Sequence, residues 1–84
     1  MENTIYLKRQ ERLREVLGNN GLDGILITNL TNIRYICGFT GSSASCLVTS
    51  KKNYFITDGR YIEQSKDQVV GFEIFIDLSL IHIS

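Results

Sequence analysis

Apolar residues in the first part of the chain recur at the spacing of an α-helix. They stand three, four or seven positions apart, and charged residues fill most of the positions between them. The apolar members are Tyr6, Leu13, Val16 and Leu17. This pattern predicts an amphipathic helix over residues 4–17, with Thr4 as its N-cap. Gly18 or Gly21 is expected to take the left-handed conformation that ends such a helix.

A short run without polar residues follows the first helix. Residues 25–27 are all apolar and are followed by a threonine. A run of this kind predicts a strand over residues 25–28 that is buried on both faces, and we expect it to be central and parallel. The polar residues after it predict a short helix through residues 34–36, with Thr31 or Asn32 as its N-cap.

The middle of the chain has the pattern of a β-hairpin. Side chains alternate along a strand predicted over residues 44–49, a polar turn occupies residues 50–53, and residues 54–57 form the returning strand. The alternation predicts one face with Cys46 and Val48 and the opposite face with Leu47.

The hairpin ends at Asp58 and Gly59. The carboxylate of Asp58 stands where it can cap a helix over residues 60–64, and a last strand begins at Phe72. The order helix, strand, helix, hairpin, helix, strand predicts an α/β fold in which a small mixed β-sheet is flanked by helices.

The end of the sequence departs from ordinary strand length. From Phe72 to Leu80 every second residue is apolar, which is about twice the length of a usual strand. We therefore expect residues 1–77 to be part of one domain and residues 78–84 to be a non-native or out-of-pattern tail. Removing that tail is expected to leave the fold intact and to reduce self-association, since an uncovered apolar edge favours pairing between chains.

Composition narrows the class of protein. The chain has 84 residues, 43% of them hydrophobic and 21% charged, and its formal net charge is zero. That size indicates one domain at most, and that charge balance argues against nucleic acid as the main partner. No apolar run approaches membrane-spanning length, the first residues do not resemble a signal peptide, and there are two cysteines. We therefore expect a cytoplasmic protein without membrane contact.

The sequence contains few residues for its own catalysis. His82 is the one histidine, so neither a transition-metal site nor a serine–histidine pair is expected within this chain. Cys37 and Cys46 are expected to be small buried thiols. Arg60 has two open interpretations: it pairs with Asp58, or it serves an interface or a substrate.

Two motifs in fixed order make the pattern specific. The first is Asn32-Ile33-Arg34-Tyr35-Ile36-Cys37-Gly38-Phe39-Thr40-Gly41-Ser42, and the second is Thr57-Asp58-Gly59-Arg60-Tyr61. Together with residues 9–13 and 21–29, they resemble the N-terminal domain of the creatinase/prolidase family over about residues 5–77. The resemblance implies an incomplete domain of the ribonuclease-H-like type from an Xaa-Pro dipeptidase or aminopeptidase P.

The resemblance also implies that catalysis belongs to a second domain. In that family a C-terminal "pita-bread" domain holds two divalent metal ions (manganese, cobalt or zinc) and hydrolyses peptides before proline. Its ligand set has no counterpart in this sequence, so this chain alone is expected to be inactive and without a cofactor. The implied partners are that C-terminal domain, a second subunit in a dimer, and proline-containing peptides as substrates.

The family's N-terminal domain implies candidate site residues here. Its loop after the Gly-Phe pair caps a neighbouring active site; the corresponding residues 38–43 are short and uncharged, which favours steric capping over charge selection. The capping or interface candidates are Phe39, Thr40, Gly41, Ser42, Arg60 and Tyr61. The residues assigned to the structural motif are Asn32, Arg34, Tyr35, Gly38, Asp58 and Gly59.

Two other hypotheses remain at this point. One is a stand-alone α/β binding or interaction module, which a coding sequence without downstream metal ligands would favour. The other, much weaker, is a ribonuclease-H-like nuclease, for which the acidic cluster is missing from the sequence.

Overall fold

The computed structural model describes residues 2–77, which form four helical segments and four strands. In chain order these are α1 (Glu2–Asn19), β1 (Gly24–Ile27), α2 (Leu30–Cys37), β2 (Ala44–Thr49), β3 (Asn53–Thr57), a 3₁₀ turn (Gly59–Tyr61), α3 (Ile62–Gln68) and β4 (Glu73–Ile76). Within that range no helix has the length and apolar character needed to cross a membrane. The expected tail at residues 78–84, including His82, lies outside the described residues.

The strands form one mixed sheet, which confirms the predicted fold class. Their order is β1-β2-β3-β4; β2 is antiparallel to β1 and β3, whereas β3 and β4 are parallel. Thr49 shapes the hairpin turn, because its hydroxyl accepts the backbone N–H of Lys52 at 2.9 Å and donates to the Lys52 carbonyl at 2.7 Å. The hairpin therefore lies where the sequence predicts it.

The prediction for the first strand was wrong. β1 is antiparallel to β2 and forms an edge of the described sheet, and its Leu26 side chain is 60% exposed. An apolar run indicates a strand, but it does not identify the neighbour with which the strand pairs. Here the hairpin strand β2 takes that place, in a register that sets Ile25 opposite Val48 and Ile27 opposite Cys46.

All described helices pack on one face of the sheet, which we call the inner face. It carries Cys46, Val48 and Phe55, all fully buried, as the alternation along β2 predicts. The α2 residues Ile33 and Ile36 pack into the same core. Further partly buried side chains close this core, namely Leu13, Ile27, Ala44, Tyr61, Val69, Phe72 and Ile74.

Helix ends follow local capping chemistry, with two corrections. α1 begins at Glu2, so Thr4 lies inside the helix and its prediction as the N-cap was wrong. Gly21 has a φ of 66° after the end of α1, and the Leu22 N–H bonds to the Leu17 carbonyl at 2.9 Å. Asn29 caps α2 by accepting the Asn32 backbone N–H at 3.1 Å, so the predicted caps Thr31 and Asn32 were wrong. The helix starts at Leu30, and both predicted residues are already inside its first turn.

A buried polar side chain joins α1 to the rest of the fold. Gln10 donates to the carbonyl of Ile36 at 3.0 Å and to that of Val70 at 2.7 Å, and its own oxygen accepts from Asn53 at 3.1 Å. Arg14 adds a 2.6 Å bond to the Asn53 side-chain oxygen. These bonds fix the helix over the sheet, since buried polar groups are stable only when paired.

Candidate functional site

The two sequence motifs meet at one end of the sheet. Ala44 pairs with Thr57 across the hairpin, so the loop before β2 lies beside the turn after β3. We call residues 38–43 and 57–61 together the loop–turn cluster. The Thr57 hydroxyl joins its two parts by donating to the Ser43 carbonyl at 2.5 Å.

Gly38 ends α2 and begins the loop. Its φ of 87° is the left-handed conformation that favours glycine, and its N–H bonds to the Arg34 carbonyl at 2.9 Å. A Cβ at this position would lie 3.1 Å from the Tyr6 ring and 3.2 Å from the Gln68 carbonyl oxygen. The chain therefore turns here in a space that no larger residue fits without a shift.

Phe39 anchors the loop in the core. Its buried ring contacts Phe55 edge-on at a centroid distance of 4.8 Å and Tyr61 at 5.4 Å. Gly41 lies against the same ring, because a Cβ added to Gly41 would overlap it. Of the capping candidates, Phe39 thus has its ring inside the domain, and the surface of the loop is formed by its neighbours.

Thr40 is held by two glutamines of α3. Gln68 accepts the Thr40 backbone N–H at 3.0 Å and donates to its hydroxyl at 3.0 Å, and Gln64 donates to the same hydroxyl at 3.2 Å. These glutamines did not stand out in the sequence. Their spacing of four residues on a helix is the signal that could have indicated a shared partner.

Ser42 and Tyr61 form the second contact between loop and turn. Their hydroxyl oxygens are 2.5 Å apart, and the Ser42 backbone N–H donates to the Tyr61 hydroxyl at 3.3 Å. The Ser42 hydroxyl and backbone N–H lower the pKa of Tyr61 because both bonds favour its ionised oxygen. Thr40 and Ser42, two of the capping candidates, are thus held by hydrogen bonds although both are exposed.

Asp58 and Arg60 form an ion pair at the turn. Asp58 accepts the Arg60 backbone N–H at 2.9 Å, as predicted for a cap, and the guanidinium bonds both carboxylate oxygens at 3.1 and 2.7 Å. The guanidinium therefore lowers the pKa of Asp58. Of the two interpretations of Arg60, the geometry supports structural pairing, although 68% of its side chain remains exposed.

The remaining motif residues support the site from α2 and the turn. Gly59 opens the 3₁₀ turn, and Arg34 is exposed on α2. The Tyr35 side chain is exposed, and the Arg9 guanidinium lies over its ring, with the guanidinium carbon 3.9 Å from the ring centroid. Asn32 and Tyr35 line a groove of about 540 Å³ between α1, β1 and α2, and no residue of the loop–turn cluster lines it.

The described residues do not supply a metal centre. Residues 2–77 contain no group of three or more His, Cys, Asp or Glu side chains placed to hold an ion. Cys37 and Cys46 are buried free thiols, as expected. A hydrogen bond with Cys37, together with burial, raises the pKa of Cys46, so this thiol stays protonated. The implied two-metal ligand set therefore does not fit this part of the chain.

Comparison with known proteins identifies the family. A sequence model of the creatinase/prolidase N-terminal domain matches residues 9–79. The chain belongs to the creatinase/prolidase N-terminal domain family. It is 55% identical over 64 residues to the uncharacterized peptidase YqhT of Bacillus subtilis, covering 76% of this chain and 18% of that protein.

Solved structures with the same fold include two Xaa-Pro peptidases. An Xaa-Pro dipeptidase from Bacillus anthracis is 42% identical with a TM-score of 0.82, covering 87% of this chain and 21% of that one. An Xaa-Pro aminopeptidase chain from Streptococcus pyogenes is 32% identical with a TM-score of 0.87, covering 99% of this chain and 64% of that one. The chain thus spans about a fifth of the B. subtilis and B. anthracis proteins.

Proposed function

We propose that this chain is the non-catalytic N-terminal domain of a cytoplasmic Xaa-Pro peptidase. Its role is to make subunit contacts and to cap an active site carried by a C-terminal pita-bread domain with two divalent metal ions. The family match over residues 9–79 carries this proposal. The hydrogen bonds of the loop–turn cluster support it, because a cap must hold its shape while it limits the space for substrate.

The cap works by shape. Thr40 and Ser42 are the exposed side chains of the loop and carry no charge. The one exposed cation of the cluster, Arg60, already bonds both oxygens of Asp58. A loop of this kind restricts the length of the peptide that can bind without selecting its charge. Proline-containing dipeptides and longer peptides therefore differ in their access to the active site.

The first test is an activity assay of the 84-residue chain. With an Xaa-Pro dipeptide and manganese, turnover is expected to equal that of buffer, because the described residues hold no metal-ligand cluster. Metal-dependent turnover by the isolated chain would contradict a non-catalytic role.

The capping role needs a catalytic partner for its test. Residues 9–79 are placed in the B. anthracis dipeptidase in exchange for the matching segment, and Thr40→Lys is compared with Leu22→Lys. Leu22 is an exposed apolar residue beside β1, at the opposite end of the sheet. Thr40→Lys should change the ratio of kcat/KM between a tripeptide and a dipeptide several-fold, whereas Leu22→Lys should leave it unchanged. Equal ratios in both variants would exclude capping by this loop and favour a binding module.

A further inference from the structure

The groove between α1, β1 and α2 has an apolar floor and lies apart from the loop–turn cluster. We call it the α1–β1–α2 groove. Its volume of about 540 Å³ lies within the range of about 300–1,000 Å³ that small-molecule sites occupy. Its apolar lining consists of Ile5, Leu13, Val16, Ile25, Ile27 and Ile36. Ile5 and Val16 are each 48% exposed, so this surface is open to a ligand.

The charged side chains of the groove are all cations. Lys8, Arg9 and Arg12 line it, and none of the described aspartates and glutamates does. The chain as a whole has a net charge of zero, so the groove concentrates positive charge that is balanced elsewhere in the protein. A cleft lined by one sign of charge attracts ligands of the opposite sign. The ligand expected here is therefore an anion with an apolar body.

Two of these cations are available to such a ligand. Arg9 already donates to the Tyr35 carbonyl at 2.8 Å and lies over the Tyr35 ring. Among residues 2–77, the Lys8 and Arg12 side chains form neither an ion pair nor a hydrogen bond. They stand four positions apart on α1, so they are neighbours on one face of the helix and can meet the same anionic group.

The shape of the groove distinguishes between kinds of apolar body. Ile5 and Val16 lie about 16 Å apart along α1, and a volume of about 540 Å³ over that length gives a mean cross-section of about 30–35 Å². An α-helix about 10 Å in diameter has a cross-section of about 80 Å². An extended peptide would set its backbone polar groups against apolar side chains. An unbranched hydrocarbon chain is narrow and has no such groups.

We propose that the α1–β1–α2 groove binds an amphiphilic carboxylate, a free molecule with one unbranched hydrocarbon chain and one carboxylate. The hydrocarbon chain lies on Ile5, Val16 and Ile25, and Lys8 and Arg12 bind the carboxylate. The Arg12 guanidinium suits this group because its parallel N–H donors match both carboxylate oxygens. No residue of the loop–turn cluster takes part, so this inference holds or fails independently of active-site capping.

A series of probes tests the proposal on the 84-residue chain. Hexanoate, octanoate and decanoate are titrated below their micelle concentrations while methyl signals are followed by NMR. Signals of Ile5, Val16 and Ile25 should shift and saturate, whereas those of Leu26 and Ile56, which do not line the groove, should not. The Kd should fall about two- to fourfold for each added CH₂, because each buries further apolar surface. Octyltrimethylammonium, with an eight-carbon chain and the opposite charge, should bind at least about fivefold more weakly than octanoate.

Matched variants test the two parts of the site. Arg12→Gln should raise the Kd for octanoate about two- to fivefold, the range of an exposed ion pair, whereas Arg34→Gln, an exposed arginine outside the groove, should leave it unchanged. Ile5→Ser should raise it about threefold or more. Leu7→Ser is the control on the same helix, because Leu7 is 46% exposed and does not line the groove.

Four results would overturn the proposal. Equal affinity for octanoate and octyltrimethylammonium would show adsorption to any apolar surface, and groove methyls that do not respond to any of the carboxylates would show that no site exists. Groove signals that shift on dilution of the protein alone would assign the groove to a contact between two copies of the chain. Binding to phosphatidylglycerol vesicles without binding of octanoate would assign it to a membrane surface.

Discussion

The inner face of the sheet buries Cys46, Val48 and Phe55 completely. The opposite face, which we call the outer face, carries Leu26 and Phe75, whose side chains are 60% and 45% exposed. Both sets belong to the same strands and have the same apolar character. The difference comes from what lies above them: α1, α2 and α3 all pack on the inner side. Apolar side chains thus lie on both faces of the sheet, but the stability of the described part depends on the inner face.

The largest expected effect comes from replacing one phenylalanine on each face, which tests whether the two faces contribute differently to stability. Phe55→Ala should lower the free energy of unfolding by about 3–5 kcal/mol, because it opens a cavity in the inner core. Phe75→Ala should lower it by about 1 kcal/mol or less, since the ring is already partly hydrated. Urea unfolding followed by circular dichroism measures both. Equal losses would show that the faces contribute alike.

The buried glutamine sharpens the comparison within the inner layer. Gln10→Leu should lower the free energy of unfolding by about 2–3 kcal/mol, because it leaves the Ile36 and Val70 carbonyls and the Asn53 amide without that partner. Glu11→Leu, at the exposed neighbouring position of α1, is the control and should stay within about 0.5 kcal/mol. Similar values for both variants would mean that the Gln10 bonds do not stabilise α1.

Two glycines test how tightly the loop belongs to the inner core. Gly41→Ala should lower the free energy of unfolding by about 1–2 kcal/mol, because the added methyl group overlaps the Phe39 ring. Gly18→Ala adds the same methyl group to α1 where nothing lies within 4 Å, and it should be neutral or stabilise by about 0.5–1 kcal/mol. Thermal unfolding shows whether each substitution destabilises or stabilises the protein. A Gly41→Ala variant as stable as the unaltered chain would show that the loop is loosely packed.

The smallest expected effect is the pH dependence at the turn. The pKa of Asp58 is lower in the folded state because of the Arg60 guanidinium, so the unfolded state binds its proton more readily. The stabilisation is therefore present above about pH 4, the ordinary range of an aspartate, and is lost as the pH falls through the lower folded value.

Arg60→Gln should reduce the loss of stability at low pH. Arg34→Gln replaces an exposed arginine on α2 and should leave that loss unchanged. The free energy of unfolding measured between about pH 2 and 6 provides the check. Identical pH profiles for Arg60→Gln and the unaltered chain would show that this ion pair contributes nothing.

Much of the fold and part of the site could be predicted from local chemistry. Asp58 precedes a glycine at a strand end, and its carboxylate caps the turn as that position requires. The hairpin strands follow from alternation and a polar turn. The family resemblance, carried by residues 32–42 and 57–61, is confirmed by the match over residues 9–79.

What local patterns missed depends on contacts distant in sequence. The neighbour of β1 is set by the hairpin, which an apolar run at residues 25–27 does not specify. Gln10 and Gln68 look like surface residues in a helical pattern, yet their partners lie 26 or more positions away. Val16 was expected on the packed side of α1, and it lines the open groove instead.

The bonds of Gln10 also set an order of events during synthesis. Its amide joins Ile36, 26 positions away, and Val70, 60 positions away. A chain that leaves the ribosome from its N-terminus therefore has α1 available long before its last anchor emerges. Ile36 and Asn53 emerge before Val70, so the set of hydrogen bonds that holds Gln10 is complete only after nearly the whole described sequence has been made.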